Sequence, residues 1–171
     1  MGKKLKAAVI FIILLLADQL TKLWAVKVLK PIGSIPVIRN VLEIYYVENR
    51  GAAFGIMQNK QWFFLIITLA VLAGPIWISG KIPEERHFTP LEICLYFVGA
   101  GAVGNMIDRI FRKYVVDFVY FSLINFPVFN VADIYVTVAA VMLVILILFF
   151  YQEEDFDRIF PKKTKEGRRE L

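Results

Sequence analysis

The chain is short of the residues that most enzymes use for covalent or metal chemistry. Its 171 residues include a single cysteine, Cys94, and a single histidine, His87. One cysteine excludes an intrachain disulfide and a cysteine metal cluster, and one histidine excludes a multi-histidine site. Charge is also sparse, at 20% of residues, and the net charge of +5 comes largely from the lysines near the N-terminus. No basic patch is evident, so this balance suits an anionic membrane surface better than nucleic acid. The length leaves no room for a separate soluble catalytic module.

What the chain has instead is apolar surface. Hydrophobic residues make up 58% and aromatic residues 15%, with a mean hydropathy of +0.63. Average soluble domains are about 45–50% apolar. The expected fold class is therefore an all-α membrane protein with four transmembrane helices. Lys3, Lys4 and Lys6 precede an apolar run from Ala7 to about Val26, long enough to cross a bilayer at about 1.5 Å per residue. A cleaved signal peptide is the alternative, but no small-x-small site follows, and the run continues through Asp18 and Lys22 to Trp24. Residues 61–79, interrupted at Gly74-Pro75, form a second span with an expected kink. A third begins at Thr89-Pro90-Leu91-Glu92, which reads as a capping box, and runs to about Ile110 with Gly99, Gly101 and Gly104 as a close-packing surface. A fourth opens at Asn130, with Asp133 three residues on, and runs to about Phe150.

Between the spans, residues 31–55 are expected to hold a small β element, with Val41–Val47 as a strand. Residues 111–129 read as an amphipathic, aromatic loop. Residues 1–151 form the membrane domain, and 152–171 a charged, flexible tail. The N-terminal lysines favour cytoplasmic termini on both ends, with loops 27–60 and 111–129 outside.

Most of the polar chemistry lies between Gly99 and Asp133: Asn105, Asp108, Arg109, Asp117, Asn130 and Asp133. Ionisable residues at membrane depth are costly and read as functional by default. Topology brings Asp108, Asp117 and Asp133 to one side. Two carboxylates held close share a proton, so one activates water while the other hydrogen-bonds a carbonyl oxygen. The residues themselves do not decide which two. Asp133 also suits a plain helix N-terminal charge, and Asp108 with Arg109 suits an interfacial ion pair. Asp117 is a charge inside an apolar run, unlike a solvated loop residue. Asp18 and Lys22 form an i, i+4 pair that either neutralises its span or supports a site. Asn49 and Gly51 to Gly55 read as a tight turn or a peptide-contacting segment. Cys94 reads as a buried small residue, and His87 as solvated in a loop. An aspartyl hydrolase, an ion-coupled carrier and a noncatalytic subunit all fit these residues. Clustering of the acids at one depth, and only four spans without a repeat, favour hydrolysis.

Five blocks occur in order: Asp18-Gln19-Leu20-Thr21-Lys22, Asn49-Arg50-Gly51-Ala52-Ala53-Phe54-Gly55, Gly104-Asn105-Met106-Ile107-Asp108-Arg109, Val115-Val116-Asp117-Phe118, and Phe129-Asn130-Val131-Ala132-Asp133. Together they resemble the bacterial lipoprotein signal peptidase family, also called signal peptidase II, from about Ala7 to Phe150. Ala100 departs from the family's more usual paired glycines, which bears on packing rather than chemistry. The resemblance implies four transmembrane helices with a small extracytoplasmic β-cradle. It implies an intramembrane aspartyl endopeptidase of the bacterial inner membrane, cleaving prolipoproteins before a diacylglyceryl-modified cysteine. By match to the family's motifs, Asp117 and Asp133 are the catalytic dyad, and Asn105, Arg109 and Asn130 shape the pocket. Asp18, Lys22, Asn49 and Gly51 support the site or contact substrate. No metal or organic cofactor is implied. The expected partners are the prolipoprotein and membrane lipids around a monomer, with the site near the extracytoplasmic face.

Overall fold

The computed structural model describes residues 2–51 and 60–161. The expected Ala52–Gly55 part of the β element, and residues 162–171 of the expected tail, lie outside these. Four helices are long and apolar enough to cross a membrane: Leu5–Ile32, Gln61–Ser79, Arg86–Phe111 and Val131–Phe149. The protein is thus a multi-pass membrane protein.

The first span is not one regular helix. It runs as α1 (Lys3–Trp24), a π-helical turn (Ala25–Leu29) and a short α2 (Lys30–Ile32). The wider turn places Ala25 and Leu29, four apart, both fully buried under the sheet. Gly33, at φ +83°, then turns the chain into the sheet, a conformation glycine adopts without cost. α3 (Gln61–Ser79) contains Pro75. α4 (Thr89–Phe111) follows, but not through the expected capping box. Its N-cap is Phe88, Thr89 and Pro90 are already helical, and no side chain caps the end. α5 (Val131–Phe149) does start on a capping box, formed by Asn130 and Asp133. α4 is central and packs against α1, α3 and α5.

At one end of the bundle lies a three-stranded antiparallel sheet in the order β1 (Ser34–Ile38), β2 (Leu42–Asn49), β3 (Val115–Tyr120). The third strand corrects the expectation of a loop over residues 111–129. Val116 and Phe118 bury one face of β3 on Ala25 and Leu29, which leaves Asp117 on the other. The outer edge of β3 is already occupied: Asp108 accepts from the Val116 N–H, and Phe129 pairs with Val119.

The opposite end is closed by α6 (Glu153–Ile159), a helix at the start of the expected flexible tail. Ile159 and Tyr151 bury against Ile82 and Phe88. His87 is not simply solvated. Its ring stacks on Phe150 and its Nε2 lies 2.9 Å from Asp155. Cys94 is buried, as expected.

Candidate active site

The polar residues form two layers beneath the sheet. The deeper one centres on Lys22, which is fully buried with Asp18 and Asp108. Its Nζ lies 3.0 Å from Asp18 Oδ2 and 3.3 Å from Asp108 Oδ2, and donates to Asn105 Oδ1 at 2.7 Å. Arg112 pairs with the other oxygen of Asp108. Two carboxylates and two cations thus balance each other, which is how charge survives burial. Asp108 is therefore neither interfacial nor paired with Arg109, as its sequence position suggested. It ties α4 to Lys22 and to the start of β3. The i, i+4 spacing to Arg112 was the available signal.

Asp18 connects α1 to both of its neighbours. Its Oδ1 accepts from the Ala132 N–H in the first turn of α5 at 3.0 Å. Gln19 Nε2 donates both to Asp18 Oδ2 (3.0 Å) and to the Gly104 carbonyl (3.1 Å). Close approach makes this possible. A Cβ on Gly104 would overlap the Asp18 carboxylate, and one on Gly101 would sit 2.5 Å from the Ala132 carbonyl oxygen.

The upper layer holds the other two aspartates. Asp117 is almost completely buried. It accepts from Asn49 Nδ2 at 2.8 Å and from Asn130 Nδ2 at 2.6 Å. Asn49 in turn holds the Gly51 N–H at 3.0 Å. Asp133 accepts from Asn105 Nδ2 at 2.9 Å and from the Asn130 N–H at 3.1 Å, while its own N–H donates to Asn130 Oδ1 at 3.1 Å. Asn130 therefore touches both carboxylates. Burial, and then the nearby Asp133 charge, push the Asp117 carboxyl up to about 7 against the hydrogen bonds of Asn49 and Asn130. A carboxylic acid in this range keeps its proton where an ordinary one has lost it.

Both carboxylates line a cavity of about 570 Å³, with Asn49, Gly51, Asn105 and Arg109 at its polar end. Its remaining wall is mostly apolar, built from Val115, from Phe121, Ile124 and residues 126–129, and from Ile134, Thr137 and Val138 of α5. Ile134 and Val138 are also exposed, on a helix long and apolar enough to cross a membrane. Arg109 lies over the Phe64 ring of α3 at 5.0 Å, which fixes a cation beside the cavity. The nine residues that the resemblance assigns to the site meet in these two layers: Asn49, Gly51, Asn105, Arg109, Asp117 and Asp133 at the cavity, Asn130 buried against both carboxylates, and Asp18 and Lys22 behind it. Gln19, Phe64 and Arg112 were not singled out. Among the described residues, no group of three His, Cys, Asp or Glu side chains is placed to hold a metal ion.

Residues 10–149 match the signal peptidase (SPase) II family. The lipoprotein signal peptidase of Caldanaerobacter subterraneus subsp. tengcongensis is 46% identical over 138 residues, 80% of this chain and 92% of that protein. The lipoprotein signal peptidase of Streptococcus pneumoniae is 41% identical over 145 residues, 84% of this chain and 93% of that one. A solved structure of a bacterial membrane enzyme, obtained by the in meso method at 2.3 Å resolution, superposes with a TM-score of 0.75 at 30% identity, covering 94% of each chain. A second such structure, at 1.9 Å resolution, has a TM-score of 0.73 at 31% identity and covers 85% of this chain and 94% of the other.

Proposed function

The chain belongs to the signal peptidase II family, and on that premise we propose that it removes signal peptides from prolipoproteins as an aspartyl endopeptidase, with Asp117 and Asp133 as its catalytic residues. The observation that carries this reading is that both carboxylates line one cavity and are joined through Asn130. The scissile bond lies before a diacylglyceryl-modified cysteine, at the extracytoplasmic face of the bacterial inner membrane. Acyl chains that pass beside the exposed Ile134 and Val138 remain in lipid while the peptide reaches the polar end, so the lipid fixes the depth of the reacting bond.

The chemistry follows from the two environments. Asp117 holds the shared proton. Asp133, in the first turn of α5, is the base of the pair. Asp133 takes a proton from water as its oxygen attacks the carbonyl carbon, and Asp117 donates its proton to the carbonyl oxygen. In the resulting diol, Asp133 returns its proton to the amide nitrogen. The C–N bond breaks, the diol collapses to a carboxylic acid, and Asp117 regains its proton. Arg109 and Asn105 lie where the extended peptide passes the dyad, with Asn49 and Gly51 at the far rim. Lys22 and Asp18 act by holding Asn105 and the start of α5 in place.

The test is cleavage of a diacylglyceryl-modified prolipoprotein by the purified protein, beside Asp117→Asn and Asp133→Asn. Each variant is expected to lose activity by about 10³-fold or more while still unfolding cooperatively in detergent. Near wild-type activity in either one rejects the dyad. Inhibition by a chelator rejects the metal-free mechanism.

A further inference from the structure

Along its nineteen residues α5 carries three polar side chains, Asp133, Tyr135 and Thr137. Two have partners. Asp133 is held by Asn105 and Asn130, and the Tyr135 hydroxyl donates to the Leu14 carbonyl at 3.3 Å. Thr137 has none among the described residues. Thr89 shares this, and both residues are exposed. Thr21 turns its hydroxyl onto the Ala17 and Asp18 carbonyls at 2.9 and 2.8 Å, and Thr68 bonds the Phe64 carbonyl at 2.8 Å. Thr137 lines the same cavity as the two carboxylates. It lies four residues after Asp133, on the same helix face. The neighbours on that face, Ile134 and Val138, are apolar and also line the cavity. Thr137 is exposed, so its hydroxyl is a donor open to whatever occupies the cavity.

We infer that Thr137 is a positioning residue whose hydroxyl donates to a carbonyl oxygen of the bound substrate, one helical turn deeper in the membrane than the dyad. The inference rests on the function proposed above. Four residues of helix place Thr137 about 6 Å beyond Asp133 along the axis. Two carbonyls of a lipid-modified substrate lie within that offset of the scissile bond. One is an ester carbonyl of the diacylglyceryl group. The other is a peptide carbonyl two residues upstream, at about 3.3 Å per extended residue. Both present the same acceptor chemistry to the hydroxyl. Such a contact reads how deep the substrate sits, which apolar walls alone cannot do because sliding along them changes little.

The experiment compares the full-length wild type with Thr137→Val, which keeps the shape without the donor, and Thr137→Ser, which keeps the donor. Each is assayed on a diacylglyceryl (diester) prolipoprotein and on its dialkyl ether analogue, with kcat and KM read separately. For Thr137→Val we expect kcat/KM on the diester to fall about 3- to 10-fold, the range of one net hydrogen bond. The loss is expected mainly in KM, with recovery in Thr137→Ser and an unchanged melting temperature. A loss confined to the diester identifies the ester carbonyl as the acceptor, and an equal loss on both identifies the peptide carbonyl. Wild-type kcat/KM in Thr137→Val on both substrates overturns the inference, as does equal impairment of Thr137→Ser and Thr137→Val. If the wild type itself cuts neither substrate, the proposed function falls, and this inference with it.

Discussion

The amide of Asn130 donates to the side-chain oxygen of Asn105 at 3.2 Å. Through that contact the helix start that holds Asp117 is joined to the helix that holds Asp133 from the side. Asn105 Oδ1 also accepts from Lys22, so its amide group is committed to pointing its donor at Asp133. The orientation of each carboxylate is therefore set by an amide that is itself oriented by another group.

Removing Asn130 tests this arrangement. Asn130→Ala takes one donor from Asp117 and the cap from α5. A lost N-cap costs about 1 kcal/mol, and the unpaired buried acceptor adds about 1–3 kcal/mol. We expect a lowered melting temperature in detergent, with turnover falling further than the stability loss explains. Asn130→Asp restores the cap but places a third acid beside the pair, so it is expected to recover stability and not activity.

Lys22 carries the deeper layer. Lys22→Met keeps the length of the side chain but leaves Asp18 and Asp108 without their shared cation. Breaking a buried pair from one side costs about 3–5 kcal/mol. The double change Lys22→Met with Asp18→Asn is expected to be less destabilised than the single one, because it removes an uncompensated charge. A double-mutant cycle by thermal unfolding measures that coupling. Additive losses would show that the two groups act independently.

The glycines of α4 make a steric prediction. A methyl group at Gly104 meets the Asp18 carboxylate, whereas one at Gly74 in α3 meets nothing within 4 Å. Overpacking costs about 1–3 kcal/mol, so Gly104→Ala is expected to lower stability and activity together. Gly74→Ala is expected to be neutral or to stabilise by up to about 1 kcal/mol, through the smaller entropy loss on forming the helix. Melting curves of the two variants, measured side by side, check the contrast.

The raised Asp117 carboxyl, at about 7, has two consequences for pH. Activity needs the protonated form and is expected to fall as pH rises through about 7, which a kcat/KM profile will show as the basic limb. Stability follows the same proton. In the unfolded chain the group ionises near 3.8. Between that pH and about 7 the folded protein binds the proton and the unfolded chain does not. Its contribution to stability is complete below the lower value. It is lost at up to about 1.4 kcal/mol per pH unit as pH rises toward the upper one. Asp117→Asn has no such proton, so its melting temperature is expected to gain on the wild type from pH 4 to pH 7. A constant gap across that range would refute the shift.

Much of this was legible in the sequence, for physical reasons that differ by element. The spans were legible because a bilayer demands long apolar runs, and Asn130 with Asp133 because a capping box is local. The first span was harder to bound, since a π-turn and α2 carry it to Ile32. β3 was missed. Val115, Val116, Phe118, Val119 and Tyr120 are strong β-formers, but Asp117 interrupts them, and the groups that accommodate it, Asn49 and Asn130, are distant in sequence. The box at Thr89 failed because the helix starts one residue earlier. Asp108 was misread because its partner Lys22 lies 86 residues away, on another helix. Which of three aspartates share the cavity is a long-range fact, and only the resemblance to known motifs anticipated it.

The Asp18–Lys22 pair spans one turn of α1, so it needs nothing from the rest of the chain. The partners that later surround Lys22, Asn105 and Asp108, belong to α4. During synthesis the first span therefore enters the bilayer before those partners exist. A lone lysine or aspartate there resists insertion by about 2.5–3.5 kcal/mol, and the two together form a near-neutral unit. The same pair that later anchors the site thus serves first as α1's passage into the membrane. Separating the charges by moving Lys22 two residues back along α1, to an i, i+2 spacing where they no longer face each other, would then hinder membrane entry before it harmed catalysis.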